Sequence, residues 1–369
     1  MLKLQEFIKS HKNWKELLEA APYSLNIKEK GNLVLFNYSQ IATDASIPLT
    51  KEARGLILEK NNWNVICYGF NRFFNIGELN AAQIDWKSAF ATSKEDGTLF
   101  FLYYYNDEWH IRTRSTFDAT EAPLENGQFK NYRQLFDYVL GFYPNFNFQN
   151  LNKKYTYCLE CCSQFNKIVL DYPEPKLYHI LTRDNNTLEE VYENIGIPKP
   201  AHYYLEDEAD YKSFVEEMSE NHEGIVVQDK YNNRVKIKTQ TYFALHHLVA
   251  NHCITLRKAI FLIWTNEQNE LLSYFPEFIS YFDQVKTQLD QVKTQLDAIQ
   301  SEVEELRPQL VGRKDFVRKL GDKDRQQKAL YFLALDNKLY NTFSYNPEDT
   351  DEQTMSKIKK LITTFKLDA

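Results

Sequence analysis

Lys94 ends a short, mostly apolar run, and Glu95, Asp96 and Gly97 follow before a second strand-like run resumes at Thr98. A surface turn would use the same four residues. Five further segments carry charge where a strand core has no use for it. They are KEARGLILE with Arg54, NRFFNIGE with Arg72 beside Phe73 and Phe74, YTYCLECC with Glu160, HEGIVVQD with Glu223 and Gly224, and VKIKTQTY with Lys236 and Lys238. Each has an ordinary explanation by itself, such as a solvated strand face for the lysine pair. Together, three lysines, two arginines and two glutamates make a site for a polyanion and a metal. A lysine amine has an unperturbed pKa of ~10.4 and is charged at neutral pH. Burial and neighbouring cations lower that value, and Lys236, Lys238 and Arg54 are the expected neighbours. A free amine can attack phosphorus and form a covalent intermediate. The same cations would stabilise phosphate charge in the transition state. Glu160 and Glu223 can hold Mg²⁺, a hard cation that takes carboxylate, water and phosphate oxygens. The chemistry indicated is nucleotidyl transfer through a lysine.

The elements that must position these residues are mostly strands. From about Asn32 to Lys238 the chain alternates β-branched or aromatic runs with Asn, Asp, Gly and Pro: GNLVLFNY, RGLILE, NVICYGF, GTLFFLYYYN, EWHIRTRS, YTYCLE, KIVLDY, KLYHILTR, EGIVVQD and RVKIKT. Lys236 and Lys238 alternate with Val235 and Ile237, which puts both lysines on one face of their strand. Helical periodicity covers residues 1 to 20, roughly Asn131 to Leu140, and roughly Asp207 to Ser219. After Tyr242 the strand signals nearly stop. Phe278, Tyr281, Val285, Leu289, Val292, Leu296, Ile299, Val303 and Leu306 follow at spacings of three and four, a heptad seam that Arg307-Pro308 ends. Inside it DQVKTQL occurs twice in tandem, a duplication that lengthens a helix by one repeat. A seam of about four heptads suits an intramolecular helix hairpin better than a rod-like dimer. The expected organisation is α+β: a β-rich domain over 1–245 and an all-α domain over 246–369.

A net charge of −7 excludes a polybasic nucleic-acid binder, so basic residues that meet nucleic acid must be concentrated locally. Five cysteines, three of them at Cys158, Cys161 and Cys162, show no paired spacing for disulfides or zinc and point to a reducing compartment, the cytoplasm. MLKLQEFIKSHKNW lacks the apolar core of a signal peptide, and no run approaches the ~20 apolar residues of a membrane span.

The motifs as a set are similar to a known family. Lys94-Glu95-Asp96-Gly97 resembles motif I, KxDG, of the covalent nucleotidyltransferases, the ATP-dependent ligases and mRNA capping enzymes. The full KEDG form, the upstream ARG and RFFN, Glu160 followed by Asn-Lys-Ile-Val-Leu, the EG of motif IV and the KIK of motif V look like the bacteriophage RNA ligase 1 family, in order and spacing from about Asn32 to Tyr242. The resemblance implies an antiparallel-sheet nucleotidyltransferase domain, the ATP-grasp-like ligase adenylation fold. It implies that Lys94 takes AMP from ATP as a phosphoramidate, and that Glu95 and Gly97 shape the adenylate pocket. Arg54 and Arg72 would contact phosphates, with Phe74 supporting them. Glu160 and Glu223 would lie near the ribose and the metal, Mg²⁺ or Mn²⁺. Lys236 and Lys238 would hold the α-phosphate and the departing pyrophosphate, and Tyr242 matches a family tyrosine. Arg112 and Arg114, read as projecting from one strand face, are candidates for the RNA 5′-phosphate.

The helical half matches the family weakly. Nick-sealing DNA ligases and capping enzymes place a β-barrel after motif V, so a helical domain there implies the tRNA-repair type, acting on RNA broken in the tRNA anticodon loop. An end-healing kinase/phosphatase would be its partner. His246, His247 and His252 on a basic helix, and GRKDFVRKLGDKDRQQK, are candidate phosphate contacts. Two other readings remain open at this point: another polynucleotide ligase or capping-type guanylyltransferase, and an RNA-binding adaptor with a vestigial nucleotide pocket.

Overall fold

Alternation with period two decides how the first two hundred and forty residues fold. In the computed structural model, which describes residues 1–39, 42–124, 127–218, 221–240, 242 and 254–368, the chain divides into two compact units, Met1–Leu248 and Val249–Ala369.

The first unit carries three sheets. β1 (Leu25–Lys30), β2 (Leu33–Tyr38), β3 (Arg54–Glu59) and β4 (Val65–Cys67) form an antiparallel sheet in that order. β5 (Phe74–Asn75), β6 (Phe90–Ser93), β7 (Thr98–Tyr105), β8 (Glu108–Arg112), β9 (Tyr155–Cys162), β10 (Lys176–Asp184), β11 (Glu190–Val191), β12 (His202–Tyr203), β13 (Gly224–Gln228) and β14 (Arg234–Lys238) supply the other two. Their orders are β11-β10-β9-β7-β8 and β12-β6-β13-β14-β5. Every pairing is antiparallel except β14 with β5.

On β2, Val34 and Phe36 pack with Leu4, Ile8 and Leu18 of the N-terminal helices, while Leu33 and Leu35 join Phe101, Tyr103 and Cys158 on the other side. On β7 and β9, Phe100, Leu102, Tyr157 and Leu159 turn away from that layer to the helix Tyr132–Leu140, through Leu135, Phe136 and Val139. The first two sheets are therefore stacked between helices, and their inner strands are buried on both faces. Each fully buried Leu or Phe contributes about 1.5–3 kcal/mol. The third sheet differs. Ile225, Val227, Val235 and Ile237 pack on Tyr211 and Val215 of the helix Glu208–Glu216. Its opposite face bears Lys236 and Lys238.

Residues 1 to 20, read as helical, form two helices, Lys3–Ser10 and Trp14–Glu19. LNIKEK, ahead of the strands named from sequence, is a further strand. One expectation from sequence needs correction. KIVLDY is not a strand, because the Asp96 carboxylate accepts from the amides of Val169 and Leu170 at 2.9 and 2.7 Å, and Pro173 and Pro175 interrupt the ladder beyond.

In the second unit every described element is helical. The heptad seam is one helix, Ile279–Leu306, with Phe282, Val285, Val292, Leu296 and Val303 buried. Phe282 takes the place that Tyr281 was expected to fill. The seam packs within its own unit: Tyr340 Oη donates to Asp297 at 2.6 Å, and Tyr331 of the helix Arg325–Leu335 donates to Glu302. No helix among the described residues is long and apolar enough to cross a membrane.

Candidate active site

Lys94 sits where the chain leaves the third sheet for the second. Its backbone extends the β6 pairing by one residue, the Lys94 N–H donating to Gly224 O at 2.9 Å. Its side chain donates to Glu223 Oε2 at 2.7 Å, and the other Glu223 oxygen lies 3.6 Å from Lys238 Nζ. Glu223 and Lys238 are buried, whereas the Lys94 side chain keeps 24% of its surface exposed. Two glycines allow this approach. A Cβ on Gly97 would meet Cys161 O at 2.3 Å, and one on Gly224, whose φ is +143°, would meet Ile237 O at 2.1 Å.

Electrostatics here differ from the expectation of a depressed lysine. Burial presses the Lys94 ammonium towards neutrality, but the charge and hydrogen bond of Glu223, with Glu160 and Asp96 behind it, outweigh burial and hold its pKa above the ordinary value. Glu223 is the larger influence because it both carries the opposite charge and accepts the Lys94 hydrogen bond at 2.7 Å. Glu160 on β9 shows the converse: burial pushes its pKa up to about 8, with Glu223 and Asp96 adding and Lys94 and Arg54 opposing.

Glu95 accepts from Ser93 Oγ at 2.6 Å and faces Tyr172 Oη at 3.4 Å. Between Lys94 and Gly97, Asp96 is buried and accepts from Tyr242 Oη at 2.8 Å as well as from the two loop amides. Tyr242 also carries Lys238 Nζ 5.3 Å from its ring centre. Asp96 thus ties the end of motif V to the loop after Glu160, a role that spacing alone does not reveal.

A second centre is Tyr38, at the end of β2. Arg114 Nη1 donates to its hydroxyl at 2.6 Å, and the guanidinium carbons of Arg72 and Arg114 lie 4.3 and 4.8 Å from its ring centre. Although burial raises the Tyr38 pKa, the charges of Arg114, Arg54, Arg72 and Lys236 prevail and lower it. Phe74 lies under Arg72 at 5.0 Å. Arg54 rests on Phe70 at 4.3 Å, and its buried Nη1 has no hydrogen-bond partner among the described residues. Burial holds that guanidinium below its usual range. In sequence Tyr38 reads as the last residue of an apolar strand, and nothing in its spacing marks it.

Arg112 does not belong to the site. It is fully buried, stacks 4.4 Å over Phe101, and donates to the carbonyls of Gly55, Thr113, Arg114 and Thr116 and to Cys67 Sγ. Its hydrogen bonds hold β3, β4 and the turn after β8 together. Arg114 lies beyond the end of β8, so the two arginines share no strand face. Cys158, Cys161 and Cys162 are free and buried, and burial pushes their thiols well up. His246, His247 and His252 lie outside the described residues.

The residues present fit a nucleoside triphosphate. The buried, unpartnered Arg54 nitrogen lies among the cations around Tyr38, and it suits a phosphate oxygen. Among the described residues no three His, Cys, Asp or Glu side chains cluster as a metal cage. Two carboxylates, Glu160 and Glu223, do fit a Mg²⁺ or Mn²⁺ ion that completes its shell with water and phosphate oxygens.

Comparison with known proteins shows what the chain is similar to. A family model described as RNA ligase, of the T4 type 1 kind, matches residues 52–243. A protein of Autographa californica nuclear polyhedrosis virus, described as a bifunctional polynucleotide kinase/RNA ligase, is 30% identical over 264 residues, 66% of this chain and 38% of the relative. An RNA ligase of Rhodothermus phage RM378 is 29% identical over 213 residues, 48% of either chain. The chain thus spans less than half the length of each of these relatives. Among solved structures, an ATP-dependent DNA ligase from Aquifex aeolicus is 14% identical with a TM-score of 0.43, covering 78% of this chain and 80% of its own. An archaeal ATP-dependent RNA ligase is 12% identical with a TM-score of 0.43, covering 94% of each.

Proposed function

The chain belongs to the bacteriophage RNA ligase 1 family, and we propose that it is an RNA ligase that joins 3′-OH and 5′-phosphate ends using ATP, with Lys94 carrying the AMP. The observation that carries this reading is Lys94 Nζ held 2.7 Å from Glu223, with Lys238 on the same carboxylate.

Three in-line substitutions at phosphorus make up the reaction. Lys94 Nζ, after giving a proton to a neighbouring carboxylate, attacks the α-phosphorus of ATP; a P–N bond forms and pyrophosphate leaves. An oxygen of the RNA 5′-phosphate next attacks the same phosphorus, and the P–N bond breaks. The RNA 3′-OH then attacks the activated 5′-phosphorus and releases AMP. Lys236 and Lys238 neutralise charge at the α-phosphate throughout. Arg54, Arg72, Arg114 and Tyr38 hold the outer phosphates, and Phe74 keeps Arg72 in place. Arg114 also remains a candidate for the RNA 5′-phosphate. Glu95 and Gly97 bound the adenylate pocket, and Tyr242 fixes Asp96 and Lys238. A Mg²⁺ or Mn²⁺ ion held by Glu160 and Glu223 would neutralise both the phosphates and the carboxylates that raise the Lys94 pKa.

The substrate we propose is tRNA broken in its anticodon loop. A helical unit stands after β14, where nick-sealing and capping enzymes carry a β-barrel. The baculoviral relative is described as both kinase and ligase, which supports a partner activity that prepares the ends. Of the basic residues in GRKDFVRKLGDKDRQQK, Arg313 is paired with Asp336 at 2.6 Å and Lys323 with Glu302 at 3.3 Å. The remainder are candidates for RNA phosphate.

Incubation with labelled ATP and Mg²⁺ tests the reading. The expected result is a protein–AMP adduct on Lys94, absent in Lys94→Ala, and joining of a cleaved tRNA stem-loop in preference to single-stranded RNA with a 5′-phosphate. An adduct formed only with GTP, or joining that survives Lys94→Ala, would overturn it.

A further inference from the structure

On β14, Arg234, Lys236 and Lys238 share one face, since Val235 and Ile237 fill the core on the other. At ~3.3 Å per residue, Arg234 lies about 13 Å along the strand from Lys238. Lys238 belongs to the Lys94 site. Arg234 instead lines a cavity of ≈ 230 Å³.

The chemistry of this cavity is one-sided. Lys51, Arg72, Arg183 and Arg234 line it, and no carboxylate does among the described residues. Glu190, behind the wall, accepts from Arg183 at 2.7 Å and from Arg234 at 2.6 Å, so one negative charge serves two guanidinium groups and the lining stays positive. Arg183 also donates to the carbonyls of Gly69 and Leu188, which makes the wall rigid. Lys51 is less committed: its Nζ lies 3.4 Å from Asn80 O and 5.5 Å from the Phe74 ring centre. At the rim Tyr231 is 66% exposed, and Tyr68 is buried on the inner side.

Cations beside an exposed aromatic ring suit a nucleic-acid backbone with a base stacked on the ring. The volume falls below the ~300–1,000 Å³ of whole-ligand pockets, so it fits a phosphate with its sugar. The cavity joins the Tyr38 centre through Arg72, which lines both, and through Phe70, whose ring centre lies 4.3 Å from Arg54 and 5.6 Å from Arg234. Its distance from Lys238 places it beyond the phosphate that reacts at Lys94.

We propose that this cavity is a subsite for one nucleotide of the RNA being joined, its phosphate against Lys51 and Arg234 and its base over Tyr231. The proposal rests on the ligase reading for the identity of the strand. No group has been assigned this role by the mechanism above, which uses Arg72 for ATP and leaves Lys51, Arg234 and Tyr231 without a task.

The test measures binding of a 5′-phosphorylated single-stranded RNA without ATP, across a salt series, beside ATP adduct formation. Lys51→Met is expected to reduce the slope of log K against log[salt] by about 0.7, the value of one single-strand phosphate contact. Tyr231→Ala is expected to weaken binding about 5- to 150-fold, with ATP adduct formation unchanged in both. Should Lys51→Met fail to fold, Tyr231→Ala, at the exposed rim, still decides. RNA affinity and salt slope equal to those of the unaltered protein would overturn the proposal. So would adduct formation that falls while RNA binding holds, which would assign the cavity to ATP. If the unaltered protein forms no adduct and both variants still lose RNA affinity, the ligase reading fails and the subsite stands.

Discussion

Glu223 Oε2 lies 2.7 Å from Lys94 Nζ, so the residue proposed as nucleophile is held in its protonated form by its nearest acid. Replacing that acid should free the amine. In Glu223→Gln the Lys94 pKa falls, since the largest influence opposing burial is gone. Labelling of Lys94 by an amine reagent, followed by mass spectrometry across pH, should show half-maximal reaction at a lower pH than in the unaltered protein. ATP adduct formation should nevertheless fall by ~10²-fold or more, because the same carboxylate is proposed to hold the metal.

Glu160 carries a prediction about stability. Its folded pKa of about 8 stands above its ordinary value of 4.5, so the folded state retains a proton that the unfolded chain has lost. The contribution is fully present below pH 4.5 and is lost as pH rises through about 8. Glu160→Gln keeps the neutral shape at all pH values. Its stability relative to the unaltered protein should rise from pH 5 to pH 8 by up to a few kcal/mol, read from urea midpoints, while joining activity is lost.

Tyr38 behaves in the opposite sense. Its surrounding arginines favour the phenolate, so its stabilising contribution is present above the unfolded value of ~10 and disappears as pH falls through the lower folded value. An ultraviolet titration should show one tyrosine ionising before the others, and Tyr38→Phe should remove that step. Loss of the Arg114 hydrogen bond should raise KM for ATP about tenfold, as a charge-assisted bond of ~1.5 kcal/mol would, with little change in melting temperature.

Arg112 and Arg114 should separate cleanly despite standing two residues apart. Arg112→Ala strips partners from buried carbonyls and should cost about 3–5 kcal/mol of stability. Arg114→Ala should leave stability nearly unchanged and reduce ATP adduct formation. Urea unfolding of both variants beside the adduct assay checks the pair.

Asp96→Ala should destabilise the first unit by about 3 kcal/mol, because the Tyr242 hydroxyl and the amides of Val169 and Leu170 lose their acceptor together. Tyr242→Phe removes only one of those bonds and should cost about 1 kcal/mol. Thermal melting of the two variants decides the ratio.

The candidate site was legible where charge interrupts an apolar alternation. Lys94, Glu160, Glu223, Lys236 and Lys238 stand out because a strand core excludes ions; Lys94, Glu160, Glu223 and Lys238 stand together, while the charge of Lys236 acts on Tyr38. Arg112 shows where that logic breaks: a charged residue in a strand can also be a structural clamp, and only its hydrogen-bond partners tell the two apart. Tyr38 shows the opposite failure, since a tyrosine that closes an apolar strand looks like any core ring.

What the amino-acid order determined by itself was local: the period-two runs, the heptad helix, the break in texture after Tyr242, and which strand face each lysine takes. These follow from near-neighbour sterics and burial. The tertiary structure decided which charges stand beside which, and so the sign of the Lys94 shift, the protonation of Glu160 and the ring of cations around Tyr38. Coulomb energies depend on distance and dielectric, and both arise only when residues a hundred or more positions apart are packed together.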